Sequence, residues 1–136
     1  MTSELAIATQ IALSAGAIVR DRFGKSTRVD RKEDQSLVSE VDMLSHAFIL
    51  KELAGAFPAH AVLSEESPGA LHTAIDERPT WVIDPLDGTS NFLSNIPLFA
   101  VAICLVEAGQ TKLGVIYDPI HNELFSAEKG QGTHLN

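Results

Sequence analysis

The residues best equipped for chemistry in this sequence lie in Trp81-Val-Ile-Asp-Pro-Leu-Asp-Gly-Thr-Ser-Asn-Phe92. Val82 and Ile83 bring an apolar strand to Asp84, and Pro85, with no N–H to donate, is expected to end its ladder. Asp followed by Pro favours a tight turn over 84–87, which would aim the carboxylates of Asp84 and Asp87 at one point with the Leu86 carbonyl. Gly88 lets the backbone approach closely, and Thr89 can open a short helix whose N–H groups face outward. Such a cluster of oxygen ligands suits a hard cation beside an anion-binding helix start. Taken alone, Pro-Leu-Asp-Gly is equally a plain turn. Ser90-Asn-Phe-Leu-Ser-Asn95 is not the alternating strand that should follow a hairpin turn, which weakens that alternative.

A second acidic pair, Glu65-Glu66, follows the apolar stretch Ala61-Val-Leu-Ser64. If the strands ending at Ser64 and Asp84 are sheet neighbours, Glu65 and Asp84 emerge on one edge, where loops carry function. Three converging carboxylates are costly unless cations neutralise them, so a divalent metal is the economical reading for Glu65, Asp84 and Asp87. Glu66 reads as a solvated loop residue. Asp42 opens a predicted helix, and Ser39-x-x-Asp42 reads as a capping box, a structural role. The five histidines show no metal-ligand spacing, and no Ser-His-Asp order supports nucleophilic catalysis.

These residues need elements to hold them. Leu5, Ala8, Ala12, Ala15, Val19 and Phe23 recur at three- and four-residue spacing, which predicts an amphipathic helix from Ser3 to Phe23, capped by Thr2 or Ser3 and ended at Gly24. A second helix is predicted from about Val41 to Phe57, with Val41, Leu44, Phe48, Leu53 and Phe57 on its buried side and Pro58 fixing its end. Between them, Thr27 to Arg31 reads as extended and 32–36 as a polar loop. Beyond Pro58 the period shifts to two. Strands are predicted at 61–64, 80–84, 99–107, 112–117 and 123–127, with another starting near Gly130-Gln-Gly132 and a loop holding Pro68, Gly69 and Pro79 between the first two. Two helices followed by a largely antiparallel sheet give an α+β class.

Composition sets the remaining bounds. With 45% apolar and 21% charged residues and no low-complexity tract, the chain is a globular domain rather than a disordered one. Its apolar runs fall short of the ~20 residues a spanning helix needs, and its start lacks the basic region of a signal peptide. Cys104 has no partner for a disulfide and reads as a small buried hydrophobe. A cytoplasmic protein is expected. The formal charge of −8 resides after residue 40, and the only basic cluster, Arg20 to Lys32, is interrupted by Asp21 and Asp30, which argues against nucleic acid as a partner.

The chain resembles the inositol monophosphatase family of magnesium-dependent, lithium-sensitive phosphatases. The resemblance is carried by Asp84-Pro-Leu-Asp-Gly-Thr-Ser-Asn-Phe92, Ser64-Glu-Glu-Ser67, Leu37-Val-Ser-Glu-Val-Asp42, Gly114-Val-Ile-Tyr-Asp-Pro119 and Glu128-Lys-Gly-Gln-Gly132, in the family's order and spacing. It implies Mg²⁺ held by Glu65, Asp84, the Leu86 carbonyl and Asp87. It also implies an attacking water placed by Glu65 and Thr89, with Asp42 orienting the Thr89 hydroxyl. Phosphate would bind at Asp87, Gly88 and Thr89, and Lys32 would lie in a loop near the metals. The implied reaction is hydrolysis of inositol monophosphate. The alternatives are a 3′(2′),5′-bisphosphate nucleotidase or fructose-1,6-bisphosphatase of the same superfamily, or a non-catalytic metal-binding remnant.

By the same resemblance, residues 1–136 would be the N-terminal metal- and phosphate-binding portion, the first half of a layered αβαβα fold. The second half, with a Trp-Asp-x-Ala motif on the leaving-group side, is absent from the sequence, and the full-length protein is expected to be a homodimer. Without that half, a sheet face and a strand edge should be exposed, with the aggregation risk this brings.

Overall fold

A computed structural model describes residues 3–67 and 77–136. Helix α1 spans Ser3–Arg22 and buries Leu5, Ala8, Ile11, Ala12, Ala15, Gly16 and Val19. The inner face is rich in alanine because the helix lies close to the sheet. At Gly16 there is no room even for a methyl group: a Cβ there would meet the Tyr117 ring at 2.4–2.5 Å. The chain leaves the helix through Gly24, at a φ of +78°. The predicted cap Thr2 and the loop residues Pro68 and Gly69 lie outside the described residues.

Strands β1 (Val29–Arg31) and β2 (Leu37–Ser39) form an antiparallel hairpin, closed by the Lys32 N–H donating to the Ser36 carbonyl at 2.8 Å. The polar loop 32–36 is therefore the tip of this hairpin. A three-residue strand such as β2 leaves too short a periodic signal to be read in advance.

Helix α2 (Glu40–Ala56) starts at a complete capping box between Ser39 and Asp42. Its buried residues are Val41, Asp42, Ser45, Ile49 and Leu53, whereas Leu44, expected inside, is 39% exposed. The inner stripe is rotated because Asp42 and Ser45, both polar, occupy core-facing positions. A pattern built on apolar residues alone therefore selects the wrong neighbour. Phe48 and Phe57 pack against the core from its margin.

Among the described residues, six strands make the main sheet in the order β3-β4-β5-β6-β7-β8: β3 (Ala61–Ser64), β4 (Thr80–Asp87), β5 (Ala100–Glu107), β6 (Gln110–Asp118), β7 (Glu123–Glu128) and β8 (Gly132–Leu135). Helices α1 and α2 cover one face, packing on β5 and β6 and on β3 and β4 respectively. Trp81, Ile83, Val101, Ile103, Leu105, Leu113, Val115 and Tyr117 are buried beneath them. The architecture is α+β and the sheet is largely antiparallel, with one exception: β3 and β4 run parallel.

Two further expectations are corrected at the end of β4. Pro85 does not end the ladder, and 84–87 is not a tight turn. The strand continues to Asp87, but its register moves from Asp84 opposite Ala102 to Asp87 opposite Ala100. Three residues advance against two. A proline without an N–H is accommodated at such a bulge, which re-aims the side chains that follow.

A short helix, α3 (Thr89–Leu93), follows directly, as expected from Thr89. Its Phe92 joins Phe23 and Phe99 in an aromatic cluster with ring centroids 5.0–5.7 Å apart. Among the described residues, no helix is long and apolar enough to cross a membrane.

Candidate active site

The parallel pairing of β3 with β4 creates the site. Neighbouring parallel strands end on the same sheet edge, whereas an antiparallel pair would send its ends to opposite edges. Ser64 pairs with Ile83, so Glu65, the first residue past β3, lies beside Asp84 of β4. The Glu65 N–H donates to the Ile83 carbonyl at 3.1 Å, one last ladder bond at this edge. Past the bulge, Asp87 stays near enough for its charge to act on Asp84.

Electrostatics report how close these carboxylates are. Burial, a side-chain hydrogen bond with Glu65, and the negative charges of Glu65 and Asp87 together push the Asp84 carboxyl up to about 8. The Leu86 N–H donating to Asp84 Oδ1 at 3.3 Å opposes this only in part. Burial first, and then the neighbouring carboxylates, keep this carboxyl from ionising. Among the described residues, no three or more His, Cys, Asp or Glu side chains already gather their ligand atoms around one point. Glu65 and Asp84 instead share a hydrogen bond. The donor set of carboxylates and a backbone carbonyl is oxygen only, which fits a hard divalent cation.

Thr89 sits beside this cluster at the first position of α3. Its hydroxyl donates to Asp42 Oδ1 at 2.7 Å and lies 3.3 Å from the Leu86 carbonyl. Asp42 is fully buried, and its other oxygen, Oδ2, accepts from the Ser39 N–H at 2.8 Å and from the Ser39 hydroxyl. The capping role read from the sequence and the link to Thr89 therefore coexist, one on each carboxylate oxygen. Gly88 is the N-cap of α3 at a φ of +93°, and a Cβ there would lie 3.0 Å from the Leu98 carbonyl oxygen. Only glycine meets both demands without strain.

Glu66 departs from expectation. Its side chain is only 3% exposed, and Lys32 Nζ lies 3.3 Å from its carboxylate. The same ammonium is 3.9 Å from Glu65 Oε1, so Lys32, at the tip of the β1–β2 hairpin, does reach the cluster. Burial disfavours the charged form of Lys32, but Glu66 and Glu65 outweigh it and raise its pKa. Burial likewise raises Glu66, against the opposing effect of Lys32.

The structure also brings in two residues that sequence reasoning passed over. Ser45 Oγ donates to the Pro85 carbonyl at 2.7 Å, and His46 Nδ1 lies 2.7 Å from Ser64 Oγ. Both follow Asp42 at i+3 and i+4, one helical face. That spacing was the available signal. Cys104 is half-buried rather than fully so, on the far face of the sheet, and burial raises its thiol pKa. His121 pairs with Asp118, far along the sheet, and His72 lies outside the described residues.

The family model described as "Inositol monophosphatase family" matches residues 1–136. The chain is 40% identical over 134 residues to "Nus factor SuhB" of Escherichia coli, covering 97% of this chain and 49% of that protein. It is 38% identical over 133 residues to "Inositol monophosphatase 3" of Solanum lycopersicum, covering 97% and 50%. Among solved structures, the extragenic suppressor protein suhB of Bartonella henselae superposes with a TM-score of 0.90 at 37% identity, over 99% of this chain and 52% of that one. An IMPase of Thermotoga maritima matches with the same TM-score at 29% identity. The chain spans about half the length of the curated relatives it matches. With all of its residues matched by the family model and both helices and sheet shared with solved members, the chain belongs to the inositol monophosphatase family.

Proposed function

We propose that residues 1–136 are the metal- and phosphate-binding portion of a magnesium-dependent phosphomonoesterase that hydrolyses inositol monophosphate to inositol and phosphate. The observation that carries this reading is the Glu65–Asp84 pair, with Asp87 near enough for its charge to raise the Asp84 carboxyl, together with Thr89, whose hydroxyl is held by Asp42. Glu65, Asp84, Asp87 and the Leu86 carbonyl would hold Mg²⁺. Bound there, such ions lower the pKa of water and neutralise charge on the phosphoryl oxygens.

The chain's own residues do the rest. The Thr89 hydroxyl donates its hydrogen bond to Asp42 Oδ1, which leaves its oxygen lone pairs free to accept a hydrogen bond from the attacking water. Asp42 holds that orientation because Ser39 fixes its other oxygen. Glu65 takes the second position around the water. The Gly88 and Thr89 amides at the start of α3 bind the phosphate, and Lys32 stands at the cluster's margin. A water oxygen bonds to phosphorus, the ester P–O bond breaks, and the proton that the water gives up ends on the departing alcohol oxygen, so that water is split between phosphate and alcohol. Phosphate monoester hydrolysis is among the slowest uncatalysed reactions, so holding ions and aiming water account for most of the barrier reduction.

The test is phosphate release from inositol monophosphate by a protein carrying this portion together with the second half found in its relatives. Turnover should require Mg²⁺, and Asp87→Asn should abolish it with little loss of folding. Unchanged activity of that variant at saturating Mg²⁺ would remove Asp87 as a ligand. Two structural neighbours are described as bound to 2′AMP and to NADP, which favours a nucleotide phosphate as the second reading. Faster release from 3′-phosphoadenosine 5′-phosphate or fructose bisphosphate would replace the inositol assignment. Several relatives carry the name Nus factor, and partner binding without any Mg²⁺-dependent release would mark a non-catalytic role.

A further inference from the structure

The two glutamates sit in a turn whose backbone donors are all engaged. The Glu65 N–H donates to the Ile83 carbonyl, the Ser67 N–H closes the turn on the Ser64 carbonyl at 3.0 Å, and the Glu66 N–H donates to Ser64 Oγ at 3.2 Å. The last bond is a side-chain-to-backbone turn of the kind serine favours. It exists only while the Ser64 hydroxyl points along the chain.

That hydroxyl is fully buried. It accepts from Glu66, so its own proton needs an acceptor, since a buried donor left unpaired is costly. His46 Nδ1 is at hand, 2.7 Å away on α2. Donor counting then fixes the tautomer: Nδ1 accepts from Ser64, and Nε2 carries the imidazole proton. Burial, which keeps the imidazole pKa below its ordinary value, agrees with this neutral form. The plainer reading is a histidine satisfied at the edge of the core. Against it stands the identity of the partner, the one hydroxyl that shapes the Glu65–Glu66 turn.

We infer that His46 is a positioning residue for the carboxylate cluster: through the Ser64 hydroxyl it fixes the turn that carries Glu65 and Glu66, and so sets the affinity of the site for a divalent cation. The inference rests on the metal-binding reading proposed above. It adds a third contact from α2. Asp42, Ser45 and His46 on a single helical face respectively hold Thr89, the Pro85 carbonyl and Ser64.

The test is Mg²⁺ binding to the 136-residue chain by isothermal titration calorimetry at neutral pH, with thermal melting measured in parallel. His46→Ala should weaken Mg²⁺ roughly tenfold, in the range found for groups that orient metal ligands. Ser64→Ala should do the same, and the double variant should lose no more than either single one, because both act through one hydrogen bond. His46→Asn, which can again offer an acceptor at the Nδ1 position, should recover most of the affinity. Wild-type affinity in His46→Ala, or additive losses in the double variant, would overturn the inference. So would an affinity loss that follows the melting temperature and is not recovered by asparagine. If the unmodified chain takes up no Mg²⁺, the metal-binding reading falls first and takes this inference with it. If it binds Mg²⁺ and the variants bind equally well, the inference alone fails.

Discussion

Asp42 shows how one side chain can satisfy two readings at once. Its Oδ2 completes the N-terminal box of α2, and its Oδ1 receives the Thr89 hydroxyl. Asp42→Ala should cost about 2–3 kcal/mol, because it removes the cap and strands the buried groups that faced it. Thr89→Ser keeps the hydroxyl and should stay within about 1 kcal/mol. Urea denaturation of the two variants measures the difference; equal midpoints would show that the buried carboxylate does little for stability. At Glu66 the lesson is the reverse. Adjacent acids usually face water, but here one of the pair turns inward because Lys32 reaches over from the hairpin to meet it. Neither side chain alone announces the pairing, since 34 residues separate them.

Helices and strands set how closely these groups can approach. α1 rests on β6 through Gly16, where Tyr117 fills the space a side chain would need. Gly16→Ala should destabilise by about 1–3 kcal/mol by overpacking, despite alanine's better helix propensity. A midpoint in urea at or above that of the unmodified chain would contradict this.

The turn between β6 and β7 depends on pH. Asp118 accepts from the backbone of Ile120 and His121 and pairs with His121 Nδ1 at 2.6 Å. The hydrogen bond and charge of Asp118 raise the exposed His121 imidazole, with Glu123 adding a little. Burial would raise Asp118, but the His121 and Ile120 bonds outweigh it and hold it low. The raised histidine contributes stability that is fully present below its ordinary pKa and is lost as pH rises through the raised value. The lowered aspartate contributes stability that is present above its ordinary pKa and is lost as pH falls through the depressed value. The turn is therefore firmest at mildly acidic pH. An NMR titration should find His121 above the ordinary histidine value, and Asp118→Asn should bring it back; no movement would remove Asp118 as the cause.

At the scale of the molecule, the helices cover one face of the sheet and, among the described residues, leave the other open. Ile116 pairs with Phe125, and Phe125 with Leu135, making a cross-strand row in which the three side chains are 50%, 40% and 53% exposed. This open face borders a cavity of 1210 Å³ that extends to Glu65, Asp84 and the hairpin tip. The exposed face expected from the family resemblance is thus present, and apolar surface of this kind attracts apolar dyes. The chain should enhance ANS fluorescence while fully folded, and Phe125→Lys should reduce that signal without altering its far-UV circular dichroism. An unchanged signal would place the dye elsewhere.

Local chemistry was legible in the sequence. The strand Ala61–Ser64, the start of β4 at Thr80, the helix starting at Thr89 and the capping box at Ser39 all depend on neighbours in the chain, which periodicity and capping preferences report directly. The tertiary structure alone decided what joins distant segments. It made β3 and β4 parallel and so put Glu65 beside Asp84. It turned the segment around Pro85 into a bulge, rotated α2 so that Asp42 and Ser45 face inward at the expense of Leu44, and buried Glu66 against Lys32. A polar residue moves inside only when a partner from elsewhere satisfies it, and that partner is fixed by packing between elements, which no local pattern encodes.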